Sequence, residues 1–336
     1  MSSKHVGESY RVTDKYAQEY LARNDGLTLA ESSVDTYDRL LNQFETYLQR
    51  RESTILDAEF RDLIEFIEFC VRSGNRQSTI EGKLSIIGEL YRYIRLHTDV
   101  RNDLNFDPLR IQTIDLSKYN TPDEIQREAL SRTELRQLFD AFDSYRNRLM
   151  AIVGVDTGIR NSDIREIRLC DLSLEDRVIH ISDPKGSHPY DVPIGDDLAF
   201  EIDYWVRHHR QGFVEEENCE YLFPSQHGGQ LASNNSLNRV IKEAAERAGI
   251  QEVIGESTVV ENYDDLEDRS QTTRQWHRVT AHTLRHSCIT LMEKDGISLT
   301  CRQLIANHTS PETTLSYTHS DNDVLSTVRE EYDPPR

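Results

Sequence analysis

The sequence predicts a mainly α protein of two domains, an N-terminal helical bundle followed by a larger α-rich unit with a small antiparallel β-sheet. Three observations predict it. The chain has 336 residues, more than one small core organises. From Thr13 to about Thr98 apolar residues recur three and four apart, the period of an amphipathic helix. Between Arg177 and Ile194 the pattern changes to two short β-rich runs around a Pro/Gly turn, the mark of a hairpin.

Taken in order, residues 1–13 are polar and read as a flexible N-terminus. The first domain, 14–110, holds four or five short helices. Their apolar stretches are Tyr37-Leu40-Leu41-Phe44, Phe60-Leu63-Ile64-Ile67 and Ile80-Leu84-Ile87-Tyr91. Ser33 or Asp35 is suited to cap the first, and Gly74 to stop the second. Residues 111–129 read as a polar linker punctuated by Asn120-Thr-Pro122. The second domain, 130–320, opens on Ser131-Arg-Thr-Glu134, a capping-box pattern. A helix from Arg146 ends at Gly158, and the hairpin follows. Helices resume near Asp196–Arg210, Ser236–Ala248, His282–Lys294 and Thr300–Ala306. A polar insert occupies 250–280, and 321–336 form a tail whose Val324, Leu325 and Val328 suit a short amphipathic helix.

Composition excludes some classes and suggests a milieu. Mean hydropathy is −0.66, and no apolar run approaches the ~18–20 residues of a membrane span. No signal core opens the chain, and the five cysteines form no C-x-x-C pair, so a reducing cytoplasm is expected. The formal net charge is −20. Lysine supplies only seven of the 39 Lys+Arg residues, which leaves 32 arginines. Such an acid-rich, lysine-poor balance resembles that of proteins from halophilic archaea, where carboxylates keep a surface hydrated in strong salt. A plainer reading is an acidic protein that avoids polyanions, and the charge lends no support to a DNA partner.

No Gly-x-x-x-x-Gly-Lys, Gly-x-Gly-x-x-Gly or Gly-x-Ser-x-Gly occurs, which disfavours a nucleotide-driven motor or a serine hydrolase. His282 and His286 have the i, i+4 spacing of a metal-gripping pair. Position 283 is Thr, however, and no third ligand suggests itself, so no metal is expected. What remains is a set of basic and acid–base groups at the starts and turns of second-domain elements. Arg160 follows Thr157-Gly158-Ile159 and opens a helix with Asp163 on the same face. Lys185 sits at the hairpin tip, and His282 and Arg285 share one helix face. His308 lies in a turn, and Tyr317 follows on a short helix that Ser310 and Pro311 can start. Singly, each has an ordinary explanation as a solvated, salt-bridged or core residue. The combination carries the argument.

Together, Thr157-Gly-Ile-Arg160-Asn-Ser-Asp163, Lys185, Ala281-His282-Thr-Leu-Arg285-His286, Asn307-His308 and Leu315-Ser-Tyr317 resemble the tyrosine recombinases, the phage-integrase and Xer-type family, in order and spacing. The catalytic resemblance covers about residues 130–320. Asn307 stands where the family usually has Gly, Asp163 where Glu is commoner, and the 250–280 insert is longer than in compact members. The resemblance implies an N-terminal core-binding, SAM-like bundle and a catalytic domain of the DNA breaking-rejoining fold.

It further implies a site-specific recombinase or integrase that needs neither metal nor cofactor and acts on double-stranded DNA as a homotetramer on two sites. Tyr317 would be the nucleophile, forming a 3′-phosphotyrosyl link. A phenol of pKa about 10 is only ~0.1% ionised at pH 7, so His282 would accept its proton. Arg160, Arg285 and His308 would hold the non-bridging oxygens. Lys185 would protonate the departing 5′ oxygen, since lysine releases a proton and arginine does not, and Asp163 would orient its basic neighbours. Tyr332 is a rival nucleophile, in a Pro-rich terminus without the spacing to His308. In the first domain Arg72, Arg76, Lys83, Arg92 and Arg95 mark the candidate DNA-facing stretch, an ordinary solvated face being the alternative. A type IB topoisomerase-like nicking and closing enzyme, or a catalytically silent DNA-binding protein of the same fold, would share these features.

Overall fold

In the computed structural model, residues 10–184, 188–213, 219–226, 229–260 and 271–305, with residue 334, are described. Lys185, His308, Tyr317, Tyr332 and the tail lie outside them. The chain forms two units, one of residues to Ile125 with Gly255–Trp276, the other of Gln126–Ile254 with His277 onward.

The first unit is a bundle of α1 (Lys15–Asn24), α2 (Glu31–Gln49), α3 (Phe60–Arg72) and α4 (Gln77–His97). Their apolar faces meet in a core of Leu41, Phe44, Leu48, Phe66, Ile67, Leu90, Tyr91 and Ile94. Phe44 and Phe66 meet edge to face, 5.1 Å between centroids, the geometry that the ring quadrupole favours. The buried Tyr91 hydroxyl donates to the Ile55 carbonyl at 2.9 Å, which offsets its desolvation.

Three sequence expectations need correction here. Helix α2 starts at Glu31 with Ala30 at its N-cap, so neither Ser33 nor Asp35 caps it; the amphipathic pattern runs back one turn further than the apolar residues alone indicate. Tyr10–Thr13 are not flexible, because Asp38 accepts the Arg11 and Val12 amides and Glu45 accepts the Thr13 amide. The linker does not begin at 111. Two 3₁₀ turns, Pro108–Thr113 and Leu116–Lys118, follow α4, and Ile111 and Leu116 are buried in the same core.

The second unit is built round α6 (Tyr145–Thr157), whose residues Leu149–Thr157 are all buried, as expected of a helix enclosed on every side. Against it pack α5 (Arg132–Asp140), α7 (Asn161–Glu166), α8 (Asp196–Tyr204), α9 (Asn234–Arg247) and α10 (Ala281–Lys294). Ser131 and Glu134 form the capping box predicted for α5. A single π turn, Trp205–His209, prolongs α8, and α11 (Leu299–Ile305) packs on α10.

The sheet has three antiparallel strands, β1 (Leu172–Ser173), β2 (Val178–Ile181) and β3 (Tyr190–Pro193), with Ile181 opposite Tyr190. The predicted hairpin is thus present, with an additional short strand at its edge. Within the 250–280 insert, β4 (Val253–Val260) pairs with β5 (Gln271–His277). Among the described residues no helix is long and apolar enough to cross a membrane.

Candidate active site

Helix α6 ends at Gly158, whose φ of +63° turns the chain left-handed, a conformation that glycine adopts without strain. The turn also needs a residue without a side chain. A Cβ at 158 would meet Cys288 Sγ at 3.0 Å, and one at Gly154 would meet Ile164 Cδ1 at 3.3 Å. The two glycines let α7 and α10 close on the C-terminal end of α6.

That approach brings two arginines together. Arg285 on α10 is 7% exposed, and its Nη1 donates to the Gly158 carbonyl at 2.6 Å. Two residues beyond Gly158, Arg160 occupies the N-cap position of α7. Its Nη1 lies 4.0 Å from Oδ2 of Asp163, whose side chain is fully buried. Burial, then the nearby charge of Arg160, lowers the Arg285 pKa, although an arginine stays protonated throughout the accessible range. A buried cation beside a second one is costly unless an anion joins them.

Asp163 is held from several sides. Ser162 Oγ donates to Oδ1 at 3.0 Å, and the Tyr190 hydroxyl, from β3, donates to Oδ2 at 3.3 Å. Burial raises the carboxyl pKa, while Ser162, Arg160 and Tyr190 pull it back.

His282 stands at the second position of α10 and is exposed. Its helix start is fixed by Asn238 of α9, which accepts the Ala281 amide at 3.0 Å. The middle of α10 is stitched to the beginning of the unit, where the Leu130 amide donates to Ser287 Oγ at 2.8 Å. Desolvation, followed by the charges of Arg127, Arg285 and His286, keeps the His282 pKa below its ordinary value. Near neutral pH the ring is therefore uncharged and able to accept a proton.

Arg160, Asp163, His282 and Arg285 lie round the C-terminal end of α6 and the start of α10; Lys185, His308 and Tyr317 lie outside the described residues. Two participants were not anticipated. Tyr190 is separated from Asp163 by 27 residues and only the fold joins them. Arg127, whose Nε donates to the His277 carbonyl at 3.1 Å, adds a cation beside His282. The only hint in the sequence was the position of Tyr190 at the start of the second hairpin strand.

The arginines of the first unit are arranged differently. Arg72 pairs with Glu68 at 3.5 Å and Arg95 with Asp107. Arg76 donates to the Asp123 carbonyl at 2.9 Å and lies over the Trp276 ring, 5.6 Å from its centroid. Lys83 must be removed from the candidate DNA-facing set. It is 5% exposed, and its ammonium is tied to Asn75 Oδ1 at 2.7 Å and Cys70 Sγ at 3.6 Å. Nor do the rest form one stripe. At about 100° per residue, Arg92 lies roughly 160° round α4 from Arg76.

An N-terminal helical bundle, an α-rich unit with a small sheet, and an arginine pair at the end of a buried helix define a DNA breaking-and-rejoining class of protein. Comparison with known proteins agrees. Residues 128–323 match the model of the phage integrase family and residues 17–97 that of its N-terminal SAM-like domain. The chain belongs to the phage integrase family, that of the tyrosine-type site-specific recombinases.

Among its relatives are the tyrosine recombinase XerD of Yersinia pestis, 25% identical over 320 residues (94% of each chain), and that of Oceanobacillus iheyensis, 25% over 309 residues (91% of this chain, 93% of the relative). The fold is also that of a lambda integrase (75–356) dimer bound to a core site, with TM-score 0.62, 15% identity, and 95% and 96% of the two chains covered. A Tn1549 transposon integrase in complex with a circular intermediate DNA gives TM-score 0.63, 15% identity, and 94% and 98% coverage.

Proposed function

We propose that the second unit cleaves one strand of double-stranded DNA by transferring a phosphoryl group to Tyr317, and that a second DNA end later displaces the tyrosine. The observation that carries this reading is the Arg160–Arg285 pair. Arg285 is buried against the Gly158 carbonyl, two residues before Arg160, near enough for the Arg160 charge to lower its pKa, and an anion seated between the two would offset that repulsion. A phosphodiester in strand transfer gathers charge on its non-bridging oxygens, and planar guanidinium forks match those oxygens.

In the forward step the Tyr317 oxygen bonds to phosphorus and the bond from phosphorus to the 5′ oxygen breaks. The phenolic proton passes to His282, whose depressed pKa keeps it uncharged and receptive. Lys185 gives a proton to the departing 5′ oxygen, and His308 adds a donor to the phosphate. Asp163 anchors Arg160. The phosphotyrosine conserves the bond energy, so rejoining is the same sequence in reverse.

Strand exchange between two sites calls for four protomers. The fold's likeness to a lambda integrase tetramer bound to a Holliday junction, TM-score 0.60 at 15% identity, supports that arrangement. Arg92, exposed and at the opposite side of α4 from Arg76, is the residue of the first unit best suited to a backbone phosphate. The acid-rich, lysine-poor surface suits a cytoplasm of high salt, in which direct hydrogen bonds and shape fit must do more of the binding than counterion release.

The test is a suicide DNA substrate nicked beside the scissile phosphate. The wild-type protein is expected to become covalently attached and Tyr317→Phe to give no adduct. An adduct with the Phe variant would remove Tyr317 from its role, and plasmid relaxation without two-site exchange would replace the recombinase by a nicking and closing enzyme.

A further inference from the structure

The contacts round Asp163 come from three elements. From its own helix and cap it meets Arg160 at 4.0 Å and the Ser162 hydroxyl at 3.0 Å, with Glu166 one turn further on. From α10 it feels the Arg285 charge. From β3 it meets Tyr190, whose hydroxyl lies 3.3 Å from Oδ2, the same oxygen that faces Arg160. Behind it, Asp171, His180 and Asp183 line a cavity of about 260 Å³ that Asp163 and Glu166 share. The same cavity is lined by Arg168, and the Arg160 backbone amide also donates to the carboxylate, so Asp163 has several donors or cations at hand, of which Tyr190 serves the oxygen turned to Arg160.

We propose that Tyr190 is a positioning residue of the strand-cleavage site: its hydroxyl fixes the buried Asp163 carboxylate, and that carboxylate holds the Arg160 guanidinium at the phosphate. The inference deepens the recombinase reading above and rests on it. Tyr190 does not act on the DNA itself. Its hydroxyl is committed to a carboxylate, and burial together with the Asp163 charge drives its pKa upward, so that it remains a donor and a poor nucleophile. A buried carboxylate keeps its charge only while donors reach it. Ser162 serves Oδ1, whereas Tyr190 serves the oxygen turned to Arg160. Without that donor, burial favours the neutral acid, and a neutral Asp163 no longer forms an ion pair with Arg160.

The sign follows directly. Asp163 must be ionised to hold Arg160, so loss of the Tyr190 hydroxyl harms cleavage most at low pH and least at high pH. The experiment compares single-turnover adduct formation on a suicide duplex by the full-length wild type and Tyr190→Phe from pH 5.5 to 9. The ratio of the two rates cancels the His282 limb, which both share. Tyr190→Phe is expected to lose increasingly more as the pH falls, by up to about tenfold at the acid end and by no more than about twofold at pH 8.5, its acid limb moved up by roughly one pH unit. In an Asp163→Asn background, where nothing at position 163 ionises, the same substitution should add less than about twofold at any pH.

A loss equal at every pH, the signature of a packing defect, overturns the proposal. So does undiminished cleavage at pH 6, or a full Tyr190→Phe effect that persists beside Asp163→Asn. If the wild type itself forms no adduct, the recombinase reading fails and takes this inference with it, a result distinct from the three before.

Discussion

The arginines of the two units differ in what holds them. In the first unit Arg72 and Arg95 lie at the surface, each against a carboxylate, and Arg76 is spent on a backbone carbonyl and an indole. In the second, Arg285 is buried against a main-chain carbonyl beside Arg160, whose carboxylate neighbour is itself buried. Surface pairs contribute about 0–1 kcal/mol and are screened by salt. A buried cation costs several kcal/mol unless paired, so keeping the buried Arg285 near a second cation serves a purpose other than stability. In a chain with 32 arginines, environment rather than number identifies those that do chemistry.

Replacing the buried member of the pair should break this contrast most sharply. Arg285→Ala is expected to lower covalent adduct formation on the suicide substrate by about 10³-fold, the scale of losing one preorganised donor to a developing anion. Arg72→Ala in the same assay should change it by less than about threefold. Comparable losses for both would mean that the two regions serve the same end.

Next in size is the turn that supports the pair. Gly158→Ala places a side chain at φ +63° and within 3.0 Å of Cys288 Sγ. Unfolding in denaturant should report a loss of about 1–3 kcal/mol, and relieving the clash with Cys288→Ala should restore part of it. Unchanged stability in Gly158→Ala would show that the turn tolerates a side chain.

The smallest effect sharpens the comparison within α4. Arg92→Ala should reduce the slope of log K for duplex binding against log salt by about 1. Lys83→Met should leave that slope unaltered, because the Lys83 ammonium faces Asn75 and Cys70 inside the bundle. A reduced slope for Lys83→Met would restore Lys83 to the DNA-facing set.

Much of the architecture was legible because burial imposes a period. Apolar spacing marked α2, α3 and α4, Ser131 and Glu134 marked the start of α5, and Gly158 marked the end of α6. The β4–β5 ladder was not legible. Gly255-Glu-Ser-Thr and Gln271-Thr-Thr-Arg alternate no apolar face with a polar one, and such a stretch carries no period-2 signal. Lys83 was misread for a related reason. A cation on an amphipathic helix is ordinarily solvated, and only the fold shows Asn75 reaching it.

At the site, Arg160, His282 and Arg285 could be named from their order along the chain. Tyr190 and Arg127 could not be foreseen, since each acts through a neighbour that sequence distance conceals.

The atom that seats Arg285 is the carbonyl oxygen of Gly158, and every amino acid carries one. No point substitution deletes it. Short of replacing Arg285 itself, variation can disturb this seat only by bending the chain, whereas the Asp163 half is open to alteration one functional group at a time. Libraries meant to retune cleavage should therefore find graded phenotypes round α7 and β3 and nearly all-or-none ones at the turn after α6.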